Sequence, residues 1–124
     1  MIIRKSFSIP YNRGEIWVSC LDGLGDNIEI LKEKVLEDEK MICRPSTPAF
    51  VALNLNETTV SAELAAVIVD SLIRSENFIN KLTFVGVDKH GKRNIEAYLK
   101  KSNLKLGFAS KYFDDFEKAK EWLI

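Results

Sequence analysis

Two short apolar runs, AFVALNL at 49–55 and LTFVGV at 82–87, enclose an amphipathic stretch at 61–75. This arrangement constrains the fold more than any other feature of the chain. A run that is apolar almost without interruption suits a strand covered on both faces, which is the condition of a parallel sheet. A parallel pair needs a crossover, and a helix of this length supplies one. Within 61–75, Leu64, Ala65, Ile68, Leu72 and Ile73 recur at helical spacing, widened by Val67 and Val69, so this helix is expected to be the most buried.

The rest of the chain extends the pattern. Residues 2–9 (IIRKSFSI) alternate, with Ile3, Phe7 and Ile9 on one face and Lys5 interrupting it, as in an edge strand. Pro10, Asn12 and Gly14 mark a turn, and 15–20 (EIWVSC) reads as a second strand. The connection is too short for a crossover, so the two are expected to form an antiparallel hairpin. A helix is expected over 26–40 on Ile28, Leu31 and Val35, with Asp26 as its N-cap, Glu29 three residues on, and a solvated charged face. RPSTP at 44–48 cannot continue that helix. A third helix is placed at 91–102 on Ile95, Tyr98 and Leu99, a strand at 106–112, and a last helix opened by Asp114 and Asp115, with Phe116, Ala119 and Leu123 inward beside Trp122. The order ββαβαβαβα gives one α/β domain over 1–124, with about five strands and about four helices.

Composition narrows the function classes. With 18 Lys/Arg against 18 Asp/Glu the formal net charge is zero, so no general attraction to nucleic acid or to an anionic membrane is expected. The longest apolar stretch, LAAVIV at 64–69, falls far short of the ~20 residues of a bilayer span. MIIRKSFSIP is too short and too polar for a signal peptide, and a cytoplasmic protein is expected. Cys20 and Cys43 match no metal-ligand spacing; Cys20 reads as a small buried hydrophobe and Cys43 as a free thiol.

In sheets of this kind chemistry gathers at the carboxyl ends of the strands, here the loops 21–26, 54–61, 88–92 and 111–115. His90, the single histidine, lies in DKHGKRN and reads as a solvated loop residue; an enzyme would need it to meet a carboxylate, or Cys43 to be reactive. LDGLGD at 21–26 lacks the lysine or longer glycine fingerprint of a phosphate cradle and reads as a turn. A phosphorelay receiver needs clustered carboxylates, whereas Asp22 stands alone, 54–57 offers Asn54, Asn56 and Glu57, and no proline follows Lys111. Residues 88–105 carry six Lys/Arg against Asp88 and Glu96, either an exposed helix face or a docking patch for an acidic partner or a phosphate. Ser61 sits where the helix pattern starts and fits an N-cap, with Val60 and Ala65 as a weak staple.

The element order, VALNLNETTVSAELAAVIVDSL and the closing FDDFEKAKEWL resemble the STAS domain family, the fold of bacterial anti-sigma factor antagonists and of the cytoplasmic tails of sulfate transporters. The resemblance spans about residues 3 to 123. It implies a non-enzymatic signalling module without cofactor or metal, binding a protein partner such as an anti-sigma factor or a related kinase, as a monomer or weak dimer. Phosphorylated members carry D-S-S-G-L after the V-L-N-L strand, and a kinase modifies the second serine. Here VALNL matches, but V-S-A-E-L follows: Ser61 falls on the first serine and Ala62 on the acceptor, while Val60 and Glu63 replace the aspartate and the glycine. Shifting the gap brings Thr59 or Thr58 near the acceptor position. The surface implied for the partner comprises Asp22, Asn54, Asn56, Glu57, Val60, Val67, Lys89 and Arg93. The alternative is a small-ligand domain of the same fold that binds a nucleotide or a lipid.

Overall fold

A computed structural model describes residues 2–11, 14–44 and 48–124. Five strands form one sheet in sequence order: β1 (Phe7–Tyr11), β2 (Gly14–Cys20), β3 (Ala49–Asn54), β4 (Ile79–Val85) and β5 (Ala109–Phe113). β1 and β2 pair antiparallel and every other pair is parallel, as expected from the hairpin and the crossovers. The helices are α1 (Ile28–Ile42), α2 (Ala62–Arg74), α3 (Lys89–Lys101) and α4 (Phe116–Leu123), with a 3-10 turn at Glu76–Phe78.

The sheet grows in one direction from β2 to β5. Right-handed crossovers therefore put α1, α2 and α3 on the same face. That face holds the main core, where Leu31, Val51, Leu64, Ile68, Leu82, Phe84 and Ile95 are fully buried. α4 closes the other face over a smaller cluster of Ile16, Val18, Ala52 and Leu123. Among the described residues this sheet has no point where strand order reverses.

Several boundaries differ from the expectations. β1 starts at Phe7, not at residue 2, because the Ser6 hydroxyl accepts the Cys20 N–H (2.9 Å) where a ladder carbonyl would stand. Pro10 and Gly14 belong to the strands; Asn12 lies outside the described residues, as do 45–47 of the RPSTP connector. Asn27, not Asp26, caps α1 through the Ile30 N–H (3.4 Å). Gly25 is held in a bridge to Thr58, so the helix begins only after the chain leaves that pairing. α1 is not fully solvated on its charged side, since Lys34 and Asp38 are buried beneath the N-terminal segment. Lys34 Nζ donates to the Arg4 carbonyl (2.8 Å), and Asp38 accepts from Ser19 and from Ser6. α3 starts at Lys89 with Asp88 as its cap, so DKHGKRN is a helical first turn rather than a loop. β5 starts three residues later than expected, after Leu106 and Phe108 have packed against the main core. Among the described residues no helix is long and apolar enough to cross a membrane.

Candidate functional site

The loops after β2 and β3 leave the sheet side by side and continue its hydrogen bonding. Leu21 N–H donates to the Asn54 carbonyl (3.0 Å), Gly23 to Asn56 (2.8 Å), Gly25 to Glu57 (3.1 Å), and Thr59 back to Gly25 (2.7 Å). The crossing requires glycine at 23 and 25, whose φ angles are +68° and +54°. The expected turn is therefore present, but it is joined to a second loop.

Thr58 joins the two loops through its side chain. Its hydroxyl donates to the Leu21 carbonyl (2.6 Å) and accepts from the Leu24 N–H (3.2 Å). Leu21 and Leu24 are 1% and 2% exposed, so water has little access to these backbone groups. Ser61 performs the capping role its position suggests, accepting the Leu64 N–H at 3.1 Å. Thr59 is exposed, and its hydroxyl makes no hydrogen bond among the described residues. The three hydroxyls thus have three different states: one is bound on both sides, one caps a helix, and one is open.

Asn56 and Glu57 form the exposed crest of this platform. Glu57 adopts φ +55°, uncommon for a residue with a side chain. Asn56 lies against Gly86, where an added Cβ would stand 2.0 Å from Asn56 Oδ1 and 2.9 Å from its Cα. Gly86 itself has φ +77°. Sequence reading took Gly86 as part of a strand and missed this role; a glycine ending an apolar run is the signal for a close backbone approach.

One residue of the expected partner surface is not on it. Val60 is 3% exposed, enclosed by the first turn of α3, where a Cβ on Gly91 would lie 2.9 Å from Val60 Cβ. Asn94 Nδ2 further ties α3 to the Val60 carbonyl (2.9 Å). Val67 is half-buried against the main core. Asp22 and Asn54 are partly buried at the strand ends. Asn54 Oδ1 accepts from Asn56 (2.9 Å to Nδ2), and Asp22 Oδ2 lies 3.5 Å from Arg4 Nε. Asp22 Oδ1 is buried without a hydrogen-bond partner among the described residues, beside a cleft of about 210 Å³ lined by Arg4, Cys20, Asn54 and Phe116. Lys89 and Arg93 are exposed on α3.

The candidate catalytic groups do not assemble. His90 is exposed in the first turn of α3, and burial together with the nearby Glu39 pushes the Cys43 thiol pKa up, away from a reactive thiolate. No group of three His, Cys, Asp or Glu positioned to hold a metal occurs among the described residues. Compared with family models, curated proteins and solved structures, the chain gives no match.

Proposed function

We propose that this protein is a non-enzymatic interaction module of the STAS type, which engages a protein partner through the joined loops 21–26 and 54–61 and the exposed start of α2. One observation carries the reading: four backbone hydrogen bonds and the doubly bonded Thr58 hydroxyl hold Asn56, Glu57 and Thr59 outward on a fixed platform. Surfaces already ordered before binding lose less conformational entropy on association. The ββαβαβαβα order and the single antiparallel edge are those the family resemblance implies, which supports the assignment.

The platform also carries exposed Asp26 and Glu57, while Glu63 pairs with Lys32 (3.4 Å), so a partner of complementary charge is basic at this contact. A phosphate on Thr59 or Ser61 adds negative charge at the start of α2, where free N–H groups favour an anion. That is the physical basis for a switch on this domain, with Thr59 the accessible acceptor.

The test is a two-hybrid assay of the chain against anti-sigma factors and related kinases from its own genome, repeated with Asn56→Ala/Glu57→Ala. Binding that the double variant abolishes supports the module; binding indifferent to it removes the platform from the reading. The cleft lined by Arg4, Asp22 and Asn54 favours a second reading, a domain that binds a small polar ligand there. At about 210 Å³ it is below the ~300 Å³ at which drug-sized sites begin, too small to enclose a whole nucleotide or lipid. Saturation at 100 times Kd stabilises by ~2.7 kcal/mol, so a thermal-shift screen separates the two readings.

A further inference from the structure

The two edges of the sheet are not alike. β1 carries Pro10, a residue without an N–H, within its five residues. β5, ASKYF, has neither proline nor glycine. The Phe113 carbonyl accepts from Gly86 N–H (2.9 Å), so Phe113 directs its backbone groups toward β4. By strand alternation Lys111 and Ala109 do the same, and Ser110 and Tyr112 direct their N–H and C=O groups to the open edge. Beside that edge runs a groove of about 380 Å³ between α3 and β5, floored by Phe84, Ile95, Leu99 and Tyr112 and continued by Leu106 and Phe108. Tyr112 is fixed there by stacking on Phe84 at 4.8 Å and by donating to Glu96 (3.1 Å). The Glu96 carboxylate is thereby engaged, while Lys100 and Lys105, which also line the groove, make no ion pair among the described residues.

We infer that the β5 edge and its groove receive an extended acidic segment of a partner protein, which adds a sixth strand to the sheet. The free N–H and C=O groups of Ser110 and Tyr112 supply main-chain pairing, and alternate apolar side chains of the segment enter the groove. The intervening acidic side chains meet Lys100 and Lys105, which assigns a role to the basic 88–105 segment. A second copy of this chain is the poorer occupant, because its own β5, ASKYF, carries no acidic side chain to meet Lys100 and Lys105. An anionic membrane offers the charge but cannot satisfy the strand's open N–H groups in a paired ladder. This surface is separate from the platform at 21–26 and 54–61, and the inference does not depend on that reading.

The test uses the full chain labelled with nitrogen-15 and a pool of acetylated heptapeptides, with Val, Ile, Leu or Phe at alternate positions and Asp or Glu between them. A control pool carries Lys in place of the acids. The acidic pool is expected to shift the Ser110 and Tyr112 amides and to slow their hydrogen exchange, and the lysine pool to do neither. Ser110→Pro removes an outward N–H without touching the β4 ladder and is expected to abolish the effect. If that variant does not fold, Lys100→Glu/Lys105→Glu provides the same discrimination, with affinity for the acidic pool expected to fall at least ~10-fold. Absence of shifts with the acidic pool, shifts confined to other elements, or equal binding of the lysine pool overturns the inference. So does lysine-dependent sedimentation with phosphatidylserine vesicles when the peptides fail.

Discussion

Thr58→Val keeps the shape of the side chain and deletes its hydroxyl. Two hydrogen bonds are lost, one to the Leu21 carbonyl and one from the Leu24 N–H. An intramolecular hydrogen bond contributes ~1 kcal/mol net, but a buried group left without a partner costs ~1–3 kcal/mol. Because both backbone groups belong to residues almost entirely shielded from water, the higher range applies, and the variant is expected to lose about 2–4 kcal/mol. For a chain of this size that lowers Tm by roughly 10 °C. Thr59→Val, on the open hydroxyl, is expected to stay within ~0.5 kcal/mol of the parent. Ser61→Ala, which removes a cap, is expected to cost ~1 kcal/mol. Urea denaturation with a common m-value, checked by scanning calorimetry, measures all three. A Thr58→Val variant as stable as the parent, or a Thr59→Val variant equally damaged, would falsify the assignment of Thr58 as the residue that joins the loops. The same bonds bear on modification: a kinase reaches the Thr58 hydroxyl only after both are broken.

Three further outcomes follow from the same geometry. Phosphopeptide mapping of residues 50–74 across growth conditions is expected to find any phosphate on Thr59 or Ser61; occupancy on Thr58 in the folded protein contradicts the proposed geometry. Gly86→Ala forces a Cβ into Asn56 at a φ of +77° and is expected to cost ~2 kcal/mol or more. Amide shifts in that variant should concentrate at 54–57, and a uniform loss of stability without them counts against the contact. Burial pushes the Asp38 carboxyl pKa up, against the pull of the Ser19 and Ser6 hydroxyls and of Lys34. The folded state therefore holds this proton to higher pH than the unfolded chain, and this group's contribution falls as pH rises from the unfolded value of ~3.9 through the elevated native value. Asp38→Asn is expected to remove that slope from the difference between the two stability curves, and an unchanged slope refutes the assignment.

Much of the architecture was legible in the residues because it rests on local periodicity. Apolar runs at 49–55 and 82–87 identify strands covered on both sides, and helical spacing between them requires parallel crossovers. Ser61 was recognisable as a cap for the same local reason, since an N-cap acts on N–H groups two or three residues away. Cys20, set between β-branched and aromatic neighbours, is buried as its surroundings indicate.

What the sequence by itself determined is thus the order of the elements, the hairpin edge, and the place of three hydroxyls at the start of α2. Only the tertiary structure decided what each hydroxyl does, because the partners of Thr58 lie 34 and 37 residues away along the chain. Long-range packing also moved Val60 from the expected surface into the core: Gly91, with no side chain, lets α3 approach it. It buried Lys34 and Asp38 on a helix face that periodicity alone assigns to water, since the segment covering them, around Arg4 and Ser6, arrives from another part of the chain. Local pattern specifies which backbone groups are satisfied nearby; which remaining groups meet is set by the fold as a whole, where every buried donor and acceptor competes for a partner.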